Sequence, residues 1–102
     1  MDKKIVQAVL ERSKGVCENC GAADYRVQLH HIIKGLGKRK QHETIEYVIL
    51  LCWNCHHGTY GVHGREGKEL DIKLKRKLQE TYFNQGYSVE EVRRMMGGKI
   101  YE

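Results

Sequence analysis

The apolar positions change rhythm along the chain, and the rhythm predicts its elements. Ile5, Val6, Val9 and Leu10 return on one helical face, and Gly15 supplies a stop, so residues 3–13 read as a helix. The runs Arg26 to Ile33 and Tyr47 to Leu51 are short, apolar and rich in β-branched residues, so both read as strands, paired antiparallel around the loop between them. A helix can begin after Cys55, but Gly58, Gly61, Gly64 and Gly67 mark the stretch that follows as irregular. Leu70, Leu74, Leu78 and Tyr82 then recur every four residues and predict a helix over 70–85 that ends near Gly86. Ser88 and Glu91 form a capping-box pattern that opens a last short helix through Met96, with Gly97 and Gly98 as its stop. Met95 and Met96 read as packing residues.

Composition narrows the class. A chain of 102 residues is expected to form a single domain over 1–102. Its core must be small, which makes a metal staple useful. The net charge is +5 and the pI about 9.1. That balance suits a polyanionic partner, because lysines and arginines at phosphates release counterions. The loop Lys34-Gly35-Leu36-Gly37-Lys38-Arg39-Lys40 is a candidate phosphate contact, and Lys73, Arg76 and Lys77 share one face of the 70–85 helix. No segment resembles a signal peptide, and no apolar run approaches the length of a membrane span. The expectation is a cytoplasmic protein with no membrane partner, in which thiols stay reduced and paired cysteines bind metal.

Four cysteines carry the strongest signal. Cys17, Cys20, Cys52 and Cys55 form two Cys-x-x-Cys pairs. Each pair can chelate one ion from a single turn, and four thiolates close a tetrahedron with no open position, so the expected ion is a structural Zn²⁺. The span between the pairs exceeds that of the shortest zinc ribbons, and the excess is the hairpin that the zinc would clamp. Four of the six histidines are paired, His30 with His31 on the first strand and His56 with His57 after the last cysteine. Neighbours on a strand face opposite sides, which suits a division of labour between a metal ligand and a base.

The motifs Leu29-His30-His31-Ile32-Ile33 and Val48-Ile49-Leu50-Leu51-Cys52-Trp53-Asn54-Cys55-His56 resemble the HNH endonuclease family. The resemblance covers residues 17–57 well, as zinc site and ββ hairpin core. Residues 58–96, including the helices of 70–96, are similar to small phage-type HNH proteins through less specific motifs. It implies an α+β fold: a small ββα-metal domain with a two-stranded antiparallel hairpin, flanking helices and a structural zinc ribbon. By position, His30 and His56 match the family's ligands for a catalytic divalent ion, and His31 matches its general base. The middle asparagine of the family pattern falls on Tyr47, whose hydroxyl is the candidate replacement. A further histidine ligand found in some members falls on Tyr60, so a third imidazole must come from elsewhere. His57 reads as a neighbour facing away or as a third ligand, His63, next to glycines, is a candidate for phosphate or metal contact, and His42 has no assigned role.

The implied activity is metal-dependent hydrolysis of DNA phosphodiester bonds. An imidazole can take a proton from water near neutral pH, and a divalent ion neutralises transition-state charge. Mg²⁺ or Mn²⁺ is the expected catalytic ion, with Ni²⁺ or Co²⁺ admitted by imidazole ligands. DNA is the expected partner, in the host cytoplasm if the protein is phage-encoded, and a homodimer would let two sites cut both strands. The alternatives are a non-catalytic zinc-ribbon DNA-binding module and a protein-interaction zinc domain. Both account for the cysteines, but neither accounts for the placement of His30, His31 and His56.

Overall fold

A computed structural model of the chain describes residues 3–33 and 45–101. The order is α1 (Lys3–Ser13), β1 (Gln28–His31), β2 (Val48–Leu51), α2 (Trp53–His57), α3 (Lys68–Asn84) and α4 (Val89–Met95). It is a small α+β arrangement in which β1 and β2 pair antiparallel, with His30 opposite Ile49 and His31 opposite Val48. The strands are shorter than the apolar runs that predicted them. Ile32 and Tyr47 still continue the ladder through one backbone bond of 3.0 Å, so the pairing extends one step past the regular strands.

The core follows the periodicity. Val9 of α1, Tyr47, Val48, Leu50 and Leu51 of the second strand region, Leu74, Leu78 and Tyr82 of α3, and Val92 and Met96 at α4 are buried together. Leu10 lies at the edge of its face and is largely exposed. Helix α4 begins with the predicted capping box: the Glu91 amide donates to Ser88 Oγ at 3.2 Å, and the Ser88 amide donates to Glu91 Oε1 at 3.0 Å. The bond from the Ser88 amide holds the Glu91 carboxyl below its ordinary pKa. The face of Lys73, Arg76 and Lys77 is exposed.

Two polar ties fix the first cysteine knuckle against the hairpin. The Glu18 amide donates to Leu50 O at 2.8 Å, and the Leu50 amide donates back to Glu18 Oε1 at 2.9 Å. Glu18 thereby covers the outer edge of β2, whose backbone groups need partners. Arg12 of α1 grips both carboxylate oxygens of Glu18 at 2.6 and 2.7 Å and also donates to Ile45 O and Val48 O, each at 2.7 Å. One guanidinium therefore ties α1, the knuckle and the strand, using the planar fork that distinguishes Arg from Lys.

One element departs from expectation. The helix expected after Cys55 instead starts at Trp53 and contains Cys55, His56 and His57. Cys52 acts as its N-cap, its sulfur accepting from the Cys55 amide. A cysteine is not a usual capping residue, so the start was hidden from the usual cap signals.

Candidate functional site

The two cysteine pairs converge. The four sulfurs of Cys17, Cys20, Cys52 and Cys55 lie within 4.8 Å of one another. Each pair is a turn in which an amide points at the first sulfur: Cys20 N to Cys17 Sγ and Cys55 N to Cys52 Sγ, both 3.5 Å. Gly21 takes φ +79° to close the first turn, a conformation glycine adopts freely. Asn19 donates to Cys55 Sγ at 3.3 Å across the pairs. Burial raises the pKa of Cys17, but amide bonds from Cys20, Cys52 and Asn19 outweigh it and bring the thiol down to about 7. For Cys55, burial comes first and the neighbouring sulfurs add to it, pushing the thiol up to about 12. Four close sulfurs, tuned by N–H donors, fit a thiophilic cation such as zinc.

The histidines divide. His30, His56 and His63 each offer a ring nitrogen to a second cluster, again within 4.8 Å of one another. The ring centroids are 5.3 Å apart for His30 and His56, 5.2 Å for His30 and His63, and 4.7 Å for His56 and His63. His30 comes from β1, His56 from α2 and His63 from the glycine-rich loop. His30 and His56 are buried, while His63 keeps the cluster open to solvent. His31 stands outside the trio, half-buried, its ring edge-on to Tyr47 at 5.6 Å. Tyr47 is fully buried, and its hydroxyl donates to Ile33 O, tying the end of the first strand region to the second. His57 is exposed and outside the trio. Tyr60 is 75 % exposed. Lys38, Arg39, Lys40 and His42 lie outside the described residues.

Sequence reasoning left His63 open because the helix ends six residues too early to deliver it. The glycines deliver it instead. Gly61 donates to Gly58 O, Gly64 to Gly61 O and Gly67 to Gly64 O, at 2.9, 2.8 and 3.1 Å. This turning backbone lies directly on α2: Val62 donates to Cys55 O and His63 to His56 O, both at 2.9 Å. The approach is too close for side chains. A Cβ at Gly64 would sit 1.8 Å from Gly58 O, and one at Gly67 would sit 1.8 Å from Gly61 O. The readable signal was glycine at every third position.

Gln28 was not singled out from the sequence, yet it orients the site. Its Oε1 accepts from His56 Nδ1 at 2.6 Å and from His57 Nε2 at 3.0 Å. An amide oxygen only accepts, so this contact calls for the His56 proton on Nδ1, the tautomer that leaves the Nε2 lone pair for the cluster. A hollow of about 350 Å³ adjoins His63, lined among others by Ile33, Val62, Asp71, Lys75 and Tyr101. Lys75 is paired there with Asp71 at 2.8 Å.

The comparison with protein families bears on this arrangement directly. Residues 17–59 match the family model described as HNH endonuclease. The matched segment spans both cysteine pairs, His30, His31 and His56, and stops before His63. The match points to a nuclease-type function. Neither curated proteins nor solved structures give a match. No helix among the described residues is long and apolar enough to cross a membrane.

Proposed function

We propose that this HNH protein hydrolyses DNA phosphodiester bonds at the His30–His56–His63 centre, with the four-cysteine cluster holding a structural zinc ion. The observation that carries the reading is the meeting of three imidazoles from three separate elements beside a separate, all-sulfur cluster. Sulfur donors suit a closed structural site, whereas three imidazoles leave positions free for water and substrate. An all-nitrogen set suits Mn²⁺, Ni²⁺ or Co²⁺ better than Mg²⁺, which prefers oxygen. A divalent ion bound there would neutralise charge on the scissile phosphate and the leaving oxygen.

The chain's own groups do the rest. His31 accepts a proton from the attacking water, since it lies next to His30 in the strand but is not spent in the trio. Tyr47 is a positioning residue: its ring packs against His31, and its hydroxyl holds the Ile33 carbonyl. In this way it replaces the family's asparagine. Gln28 keeps the His56 lone pair aimed into the centre. The basic stretch Lys38-Arg39-Lys40 is assigned to phosphate contacts.

The test is plasmid nicking with Mn²⁺, Mg²⁺ or Ni²⁺, comparing the native protein with His31→Ala. Nicking by the native protein and loss of about 10²–10⁴ in rate for the variant are expected for a general base. Undiminished nicking by His31→Ala removes His31 from this role. Salt-sensitive DNA binding without nicking by the native protein in any of these ions would favour the zinc-ribbon binding module.

A further inference from the structure

Beside the imidazole trio the molecule exposes a group of planar side chains. Tyr25 is 94 % exposed and Trp53 is 40 % exposed. The guanidinium carbon of Arg26 lies 5.6 Å from the Tyr25 ring centroid and 5.4 Å from that of Trp53. Trp53 is 6.2 Å from His57, and His57 is 4.2 Å from His56 and 5.6 Å from His63. A continuous run of planar groups therefore leads from a solvated tyrosine to two members of the trio. Each step falls within or just below the separations at which such groups interact.

The run is held in place and not merely left over at the surface. Asp24 accepts from the Arg26 amide at 2.9 Å, from Arg26 Nε at 3.2 Å and from the Trp53 amide at 3.1 Å. One carboxylate thereby fixes the segment that carries Tyr25 and Arg26 against the first turn of α2. An isolated exposed aromatic residue needs no explanation, but two that flank a cation beside a candidate catalytic centre do.

We propose that Tyr25, Arg26 and Trp53 form a stacking platform for unpaired DNA bases next to the phosphate handled at the His30–His56–His63 centre. This rests on the nuclease reading and adds to it the substrate class: DNA with a single-stranded stretch at the cleavage point. In a duplex the base faces are stacked on one another and closed to side chains. In an unpaired strand they are free, and aromatic rings and guanidinium planes bind them with little regard to sequence. The net charge of +5 suits the same strand's phosphates.

Trp53 is the chain's only tryptophan, so its emission reports on the platform directly. The zinc-loaded 102-residue chain carrying His31→Ala, chosen to spare the DNA, is titrated with a labelled single-stranded oligonucleotide and with the matching duplex. Anisotropy gives the affinity, and Trp53 emission gives the contact. Quenching by the single strand, tighter binding of the single strand than of the duplex, and an affinity loss of about tenfold on adding Tyr25→Ala are expected, with Tyr25→Phe retaining affinity. Tyr25 is almost wholly solvated, so its replacement leaves the fold intact. Trp53 emission unchanged at saturating single strand, or equal affinities for Tyr25→Ala and Tyr25→Phe, would overturn the proposal and leave the surface to a protein partner. The nuclease reading fails separately, through absent nicking by the native protein, and quenching in that case would still uphold the platform.

Discussion

Cys55 and His56 are neighbours in α2, yet they serve two clusters built on opposite principles. The sulfur cluster is assembled from two local turns, each holding a pair of donors ready at a fixed spacing. The imidazole cluster takes one donor from a strand, one from a helix and one from a glycine loop. The first can form wherever two knuckles meet, whereas the second exists only once the rest has folded. The difference suggests a hierarchy in which the sulfur cluster fixes α2 and the hairpin, and the imidazole centre inherits its geometry.

Removing the sulfur side is therefore expected to have the largest effect. Cys52 is buried, caps α2 and directly follows β2. Structural zinc contributes about 10–16 kcal/mol to the folding of small domains, more than a chain of this size retains as net stability. Cys52→Ser, or zinc removal by a strong chelator, is expected to abolish the cooperative thermal transition in circular dichroism. Because the ion must displace protons from thiols such as Cys55, raised to about 12, zinc retention is expected to weaken as pH falls. A cooperative melt unchanged after verified zinc removal would break the proposed hierarchy.

A smaller, more selective change separates the two clusters. Gly64→Ala places a Cβ 1.8 Å from Gly58 O and 2.6 Å from Thr59 O, both backbone atoms that cannot swing aside. The loop must shift, and His63 lies one residue away. Zinc content and helical signal are expected to persist, while calorimetric affinity for Mn²⁺ or Ni²⁺ and the nicking rate each fall at least about tenfold, in line with losses on disturbing a metal site's support. Gly86→Ala is the control. It has open space around its Cβ but φ +95°, so it should cost about 1 kcal/mol of stability and leave metal affinity alone. Equal metal affinity in Gly64→Ala and the native protein would show that His63 is dispensable to the centre.

What the sequence made legible follows the same division. The cysteine pairs, the hairpin, α1, α3 and the capping box of α4 all rest on short-range periodicity or spacing, and each has its counterpart in the structure. The start of α2 was misplaced because its cap is a cysteine. His63 and Gln28 were not assignable because their places depend on contacts between elements. His63 reaches His56 through a backbone that folds back over seven residues, and Gln28 meets His56 across the strand–helix junction. The register His30 opposite Ile49 and the burial of Tyr47 were likewise consequences of packing, although the strands themselves were plain.

The mildest change probes how finely the imidazole side is tuned. Gln28 is exposed and lies at the start of β1, so its replacement should alter stability by no more than about 0.5 kcal/mol. Yet its Oε1 is the acceptor that holds the His56 proton on Nδ1. With Gln28→Leu the ring is free to carry its proton on Nε2, and a metal ion must then pay for the tautomer and for reorienting the ring. Second-sphere partners of this kind alter metal affinity by about 10–100-fold, so a loss in that range is expected for Mn²⁺ or Ni²⁺, with the thermal transition unmoved. Gln28→Glu keeps an acceptor at the same reach and should restore the affinity. The sulfur cluster serves as the internal reference, because zinc content must stay the same in all three proteins. If Leu and Glu at position 28 bind the second ion equally well, the amide is only a surface contact, and the orientation of His56 must come from α2 itself.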